Sequence, residues 1–209
     1  MLTADSLSCI RGERTLFDDL SFELNSGQCL HVIGANGSGK TSLLRILIGI
    51  NHPETGEINW RGVSTHNNPI YLKECTYIGH KDGLKNELTP VENLNFYQKL
   101  NSDTKLKRLD SDELIDDTLA NMGILECADL GVGKLSFGQR RRLAFARLLI
   151  TDFKLWVLDE PFTGVDAQGR ELIEGICAEH LNHNGMIILT NHQSLAQSQL
   201  ADKLVELNL

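Results

Sequence analysis

The sequence predicts an α/β protein in which a parallel sheet lies between layers of helices. Three short segments, Cys29–Ile33, Leu155–Leu158 and Met186–Thr190, are almost entirely apolar and have the length of strands buried on both faces. Longer segments with helical periodicity separate them, and a glycine-rich loop follows the first. Strands that alternate with helices in this way are typical of a three-layer α/β core.

The other elements follow from local patterns. Two N-terminal strands with Gly12 in the turn between them form an antiparallel β lead-in to the parallel sheet. Thr89-Pro90-Val91-Glu92 has the cap, the proline and the glutamate of a helix start. The remaining predictions, in chain order, are strands at 2–10 and 14–24, a helix at 42–48, an edge strand at 57–60, a strand at 75–78, and helices at 113–122, 139–150 and 169–181.

We expect one domain over residues 1–209, with an α/β core formed by 1–80 and 155–209. Residues from about 81 to 154 are mostly helical and polar, which predicts a helical subdomain inserted in that core. A chain of this length fits one such domain.

Composition excludes several classes of protein. No apolar run approaches the roughly 20 residues of a membrane span, and the N-terminus lacks the basic and apolar regions of a secretion signal, so a cytoplasmic protein is expected. The five cysteines include no C-x-x-C pair, which argues against a disulfide framework or zinc ribbon. A net charge of −8 disfavours binding to nucleic acid through the whole surface.

The glycine-rich loop has the chemistry of a triphosphate site. It matches G-x-x-x-x-G-K-[ST] between a predicted strand and a predicted helix, which is the context that this motif needs. Its glycines let backbone N–H groups converge on an anion at the helix N-terminus. Lys40 is expected to reach the terminal phosphates and Thr41 to bind Mg²⁺. The nucleotide-binding residues predicted are Gly34, Ala35, Asn36, Gly37, Ser38, Gly39, Lys40 and Thr41.

Two later strand ends carry candidate catalytic groups. Asp159 and Glu160 follow the strand Leu155–Leu158, and ligands bind at the C-terminal edge of parallel sheets. We expect Asp159 to share Mg²⁺ with Thr41 and Glu160 to activate the attacking water. His192, just after Met186–Thr190, is expected to stabilise the γ-phosphate.

Many classes of protein share a phosphate loop and an acidic strand end. The segment that distinguishes among them here is Leu135-Ser136-Phe137-Gly138-Gln139. It resembles the LSGGQ signature of the ABC ATPase family, and it precedes the acidic strand as in that family. The resemblance covers essentially the whole chain and implies a P-loop NTPase core of ABC ATPase type. It also implies that Ser136, Phe137, Gly138 and Gln139 act on the ATP held by a second copy of the chain. Asp166, in a segment like the D-loop, would lie at the dimer interface.

Several segments resemble one subfamily, the haem-exporter ATPases of cytochrome c maturation: 77–80, 88–94 and 189–193. Three departures from the family pattern stand out. His80 replaces the usual glutamine, a residue that contacts Mg²⁺ and reports the nucleotide to the membrane subunit, and we treat it as a coupling residue. Phe137 replaces the first glycine of the signature. No aromatic residue lies near Arg11, where the family stacks one on adenine.

The resemblance implies an ATP- and Mg²⁺-dependent ATPase subunit that works with separate transmembrane permease subunits, docked near residues 80–94. It implies haem handling or export in c-type cytochrome biogenesis, at the cytoplasmic face of the bacterial inner membrane, with no nucleic-acid partner. One alternative is an ABC transporter ATPase for another cargo, such as lipid or lipoprotein. The other is a non-transport ABC protein acting on DNA or ribosomes, although the coiled-coil insertions or second cassette of those proteins are not in this sequence. The Arg140–Arg142 run is expected to pair with acidic neighbours, and His180 and His183 to lie on a solvated helix face.

Overall fold

The computed structural model describes residues 1–101, 111–191 and 194–209. Contacts divide these residues into two compact units: unit 1 is Met1–Tyr77, Lys154–Pro161 and Glu174–Leu209, and unit 2 is Ile78–Phe153 and Phe162–Ile173. In chain order the elements are β1 (Leu2–Arg11), β2 (Arg14–Leu24), β3 (Cys29–Ile33), α1 (Lys40–Leu47), β4 (Thr55–Trp60), β5 (Val63–Ser64), α2 (Pro69–Glu74), β6 (Cys75–Ile78), α3 (Pro90–Leu100), α4 (Ser111–Asn121), α5 (Phe137–Leu149), β7 (Leu155–Leu158), α6 (Ala167–Asn182), β8 (Met186–Thr190) and β9 (Leu204–Asn208).

A five-stranded sheet in the order β6-β7-β8-β3-β9 forms the centre of unit 1. The pairs β7–β8, β8–β3 and β3–β9 are parallel. Because side chains alternate along a strand, each strand supplies apolar groups to both faces. One face joins the main hydrophobic core through Leu30, Val32, Leu155, Val157, Met186 and Ile188.

Helices cover both faces of that sheet. Leu43, Leu44 and Leu47 of α1 belong to the same core as the first face. On the opposite face, the ring of Trp156 stacks on the ring of His180 from α6, with centroids 3.7 Å apart and planes at 8°. The predicted α/β class, with helices on both sides of a parallel sheet, is therefore confirmed.

A four-stranded antiparallel sheet in the order β2-β1-β4-β5 completes unit 1. It confirms the antiparallel lead-in, because Leu2 pairs with Leu24 across β1 and β2. The prediction that residues 57–60 form an edge strand is wrong. β4 pairs with β1 on one side and with β5 on the other, through the pair Trp60–Val63. β5 is only two residues long, so its sequence gives no strand signal.

Unit 2 contains α3, α4 and α5, which pack on one another. Thr89 caps α3 through the predicted capping box: its side chain accepts from the N–H of Glu92, and the Glu92 side chain accepts from the N–H of Thr89. Ile115 and Leu119 on α4, and Met122 just after its end, are buried, as the helical periodicity predicts. No helix among the described residues is long and apolar enough to cross a membrane.

His180 contradicts the predicted solvated helix face. It lies against Trp156 and Gly185, where a β-carbon at 185 would come within 2.2 Å of its Nε2. His183, just past the end of α6, is exposed as expected. The stack forms because the flat face of Trp156 projects from β7 towards α6, and a helix pattern read alone does not contain that neighbour.

Candidate nucleotide-binding site

The glycine-rich loop leaves β3 and ends at the first residue of α1. Gly39 is the N-cap of α1 and has φ 111°, in the left-handed region that favours glycine. A β-carbon there would lie 3.0 Å from Cβ of Leu16. Because Gly39 has no side chain to cap the helix, the first N–H groups of α1 remain available to an anion at the positive end of the helix dipole.

Lys40 is buried and folds back over the loop. Its Nζ donates to the carbonyl oxygens of Gly34 at 2.7 Å and Ala35 at 3.0 Å. The ammonium group therefore lies at the mouth of the loop, beside the exposed residues Asn36 and Gly37. An ammonium group beside the N–H groups at a helix start is suited to binding phosphate.

Asp159 lies at the centre of a hydroxyl network at the end of β7. Its Oδ2 accepts a hydrogen bond from Thr41 Oγ1 at 3.0 Å and another from Tyr77 OH at 3.4 Å. Its Oδ1 accepts from Thr190 Oγ1 at 2.8 Å. Asp159 is 5% exposed, so these donors replace water around a buried carboxylate. Asp159 and Thr41, distant in sequence, are brought together as predicted.

These oxygens fit Mg²⁺. The ion prefers oxygen ligands and is commonly bound by one or two protein groups together with substrate phosphates and water. Thr41 Oγ1 and Asp159 Oδ2 supply a hydroxyl and a carboxylate oxygen beside the loop, at 3.0 Å from each other. Among the described residues, no group of three or more His, Cys, Asp or Glu side chains is placed to hold a metal without such a substrate.

Glu160 has an unusual backbone. Its φ is 49°, which is uncommon for a residue with a β-carbon and is typical of functional sites. Its N–H donates to Thr190 Oγ1 at 2.9 Å, and Pro161 follows it in the buried chain. Thr190 thus contacts both acidic residues at this strand end. The buried neighbours hold the main chain of Glu160 in one conformation.

Tyr77 and Thr190 are site residues to which the sequence assigns no role, although both lie in segments that resemble the subfamily. Tyr77 is half-buried at the end of β6, and burial, with a further contribution from the charge of Asp159, raises the pKa of its phenol. The phenol is therefore protonated at neutral pH and acts as a donor. A threonine or tyrosine at the end of a strand is an ordinary strand residue by composition, so only the fold shows its contact with Asp159.

His192 lies outside the described residues, so its predicted role stays a prediction. His80 follows β6 in unit 2 and its side chain is exposed. Within the predicted docking segment, residues 80–94, the side chain of Asn93 is fully buried. Its side chain bonds to the N–H and carbonyl of Lys85 and the carbonyl of Thr89.

The signature residues form the N-terminus of α5. Ser136 is the N-cap and Gln139 completes a capping box: Ser136 Oγ accepts from the N–H of Gln139 at 3.2 Å, and Gln139 Oε1 accepts from the N–H of Ser136 at 2.9 Å. A capping hydroxyl still has a proton to donate to an anion. Gly138 lies in the first turn, with nothing within 4 Å of where a β-carbon would stand.

Phe137 contacts the segment that resembles the D-loop. Its ring is half exposed, and a β-carbon on Gly164 would lie 2.3 Å from Phe137 Cε1. Gly164 also has φ 74°, in the left-handed region that favours glycine. The contact with Phe137 and the backbone conformation therefore each require glycine at this position. Asp166 Oδ1 accepts from the N–H of Gly169 at 2.7 Å and lies 3.4 Å from Arg142 Nη2.

Arg140 and Arg142 of the arginine run on α5 pair with acidic residues, as predicted. Arg140 Nε forms an ion pair with Asp82 Oδ2 at 3.0 Å, and Arg142 pairs with Asp166. Arg141 is buried and its Nη1 donates to the carbonyl of Gly79 at 3.1 Å. All three side chains therefore contact groups within unit 2.

Comparisons with known proteins agree with this geometry. The profile of the family described as ABC transporter matches residues 17–163. The chain is 44% identical over 195 residues to a cytochrome c biogenesis ATP-binding export protein, CcmA, of Methylococcus capsulatus, covering 93% of this chain and 92% of that one. It is 46% identical over 199 residues to the CcmA of Nitrosomonas europaea, covering 95% and 91%.

Among solved structures, the chain resembles a dimeric ATP-binding cassette in a post-hydrolysis state bound to ADP and Pi. The TM-score is 0.82 at 18% identity, and the alignment covers 99% of this chain and 94% of the other. At that identity the likeness shows the fold. It agrees with the order of strands and helices described above.

Proposed function

Because this chain belongs to the ABC transporter family and, within it, to the CcmA family of cytochrome c biogenesis ATP-binding export proteins, we propose that it is the ATP-hydrolysing subunit of a membrane transporter. Its ATPase cycle drives haem handling or export during c-type cytochrome biogenesis. The observation that carries the ATPase part is the Asp159 network, which joins the glycine-rich loop to the acidic strand end through the contact with Thr41.

Each residue has a defined task in this proposal. Lys40 and the loop N–H groups bind the phosphates of ATP, and Thr41 and Asp159 hold Mg²⁺, which neutralises phosphate charge when it is bound. Glu160 accepts the proton of the attacking water, and His192 stabilises charge on the γ-phosphate. The unusual φ of Glu160 and its N–H bond to Thr190 support this assignment, because they fix the main chain at the strand end.

Each ATP site is completed by a second copy of the chain. Ser136 and Gly138, at the N-terminus of α5, contact the γ-phosphate bound by the partner copy. Two observations support this arrangement. A β-carbon on Gly138 would meet nothing within 4 Å, and the ATP-binding cassette of similar fold described above is a dimer. Phe137, in the signature, contacts Gly164, and Arg142 of the same helix pairs with Asp166. Both segments of the proposed dimer interface are therefore held by α5.

Separate permease subunits in the membrane dock on the segment 80–94, at the cytoplasmic face of the bacterial inner membrane. The buried side chain of Asn93 supports this, since it holds the loop at Lys85 on the first turn of α3 and so gives the segment a fixed shape. His80, at the start of the segment, then couples the state of the nucleotide to the permease.

Deletion of the gene tests whether haem is the cargo of the transporter. We expect the deletion strain to lose holocytochrome c, because haem no longer reaches the apoprotein, and to regain it with the parent gene but not with a Lys40→Ala gene. Holocytochrome is measured by haem staining of membrane proteins. Normal holocytochrome in the deletion strain would contradict the haem assignment and leave another export cargo, such as lipid, as the function.

A further inference from the structure

We propose that Tyr77 is a positioning residue for the magnesium site, whose hydroxyl fixes the Asp159 carboxylate in the orientation that binds the ion. This inference rests on the proposed function, because it assumes that Thr41 and Asp159 hold Mg²⁺ beside ATP. It adds a residue to which the sequence alone assigns no role in the site.

The hydrogen bonds to Asp159 define the role. Tyr77 OH and Thr41 Oγ1 donate to the same oxygen, Oδ2, at 3.4 and 3.0 Å. Thr190 Oγ1 donates to the other carboxylate oxygen, Oδ1, at 2.8 Å. Thr41 is expected to share its oxygen with Mg²⁺, whereas Tyr77 is not an expected ligand of the ion, so its hydroxyl can serve Oδ2 alone. Groups that hold a metal ligand by hydrogen bonds set its orientation and its basicity.

The tyrosine is itself held in place. It is half-buried at the end of β6, and the guanidinium of Arg45, on α1, also interacts with its hydroxyl. Because a guanidinium has only donors, the interaction with Arg45 leaves the phenol proton free to point to Asp159. The hydroxyl thus connects the helix that follows the phosphate loop with the carboxylate at the end of β7.

The position of Tyr77 in the chain gives the contact a second consequence. Tyr77 is the last residue of unit 1 before the chain enters unit 2 at Ile78, and His80 follows three residues later. A hydroxyl that holds Asp159 therefore also holds the end of the strand from which the coupling segment starts.

Tyr77→Phe tests the proposal, because it removes the hydroxyl and leaves the ring. The probe is Mn²⁺, measured by electron paramagnetic resonance on the full chain with a non-hydrolysable ATP analogue. We expect the Mn²⁺ concentration at half-saturation to rise about tenfold. Binding of the analogue in EDTA stays at the parent value, because the hydroxyl that is removed donates to Asp159 rather than to a phosphate-binding group.

Tyr71→Phe is the matched control. Tyr71 is also in unit 1, and its buried hydroxyl donates to the carbonyl of Leu47, away from the acidic residues. We expect its Mn²⁺ affinity to equal that of the parent, even if its thermal unfolding temperature falls. An equal loss in both tyrosine variants would show a general packing effect and overturn the positioning role.

Two further outcomes separate this proposal from the proposed function. Parent-like Mn²⁺ affinity in Tyr77→Phe, with the parent binding Mn²⁺ and the analogue together, overturns the role of Tyr77 alone. A parent chain that binds no Mn²⁺ in the presence of the analogue overturns the magnesium assignment, and the inference built on it.

Discussion

The Glu160→Gln variant is expected to bind MgATP with parent affinity and to hydrolyse it about 10²- to 10⁴-fold more slowly. Glutamine keeps the size of the side chain but cannot accept the proton of the attacking water. The main chain at 160 is held by Thr190 Oγ1 and by the following proline, so the substitution leaves the strand end in place. Phosphate release under single-turnover conditions measures the rate of the chemical step.

The same variant is expected to accumulate as an ATP-bound dimer, since the step that separates the two copies follows hydrolysis. Light scattering with and without MgATP measures that shift in mass. Glu179→Gln is the matched control: it removes one carboxylate from unit 1 at an exposed position on α6, and we expect parent turnover. A Glu160→Gln turnover within a few-fold of the parent would show that another group accepts the proton.

Lys40→Ala is expected to weaken ATP binding by about 10- to 100-fold, which corresponds to the loss of one charged hydrogen bond of about 1.5–3 kcal/mol. The ammonium group is buried and is already directed into the loop by the carbonyls of Gly34 and Ala35. Its loss removes the charge that phosphate oxygens meet and also the bonds that close the loop. Titration with a fluorescent ATP analogue measures the affinity.

Lys203→Ala controls for the loss of a positive charge. Lys203 also belongs to unit 1, and its Nζ contacts Asn182 Oδ1 rather than the loop. We expect this variant to bind the analogue like the parent. If Lys40→Ala also keeps the parent affinity, the phosphate site does not lie at residues 34–41.

The sequence predicts the features whose causes are local. The capping box at Thr89 is confirmed because a cap and its partner lie three residues apart, and the structure shows a second such box at Ser136. The buried strands Leu155–Leu158 and Met186–Thr190 are confirmed because each is a continuous apolar run.

The features that the sequence does not predict depend on neighbours distant in the chain. Leu204–Asn208 is a strand because it pairs in parallel with Cys29–Ile33, and five mixed residues carry no strand signal on their own. Tyr77 and Thr190 belong to the site only because β6 and β8 end beside Asp159. The stack of His180 on Trp156 has the same origin.

In the proposed mechanism neighbouring copies of the chain share each ATP site, and one titration tests this directly. Steady-state ATPase rate per chain is measured over a wide range of protein concentration, with light scattering on the same samples. Shared sites predict a rate per chain that rises with concentration and levels off as the ATP-bound dimer forms. A constant rate per chain, in samples where scattering detects only single copies, would contradict it.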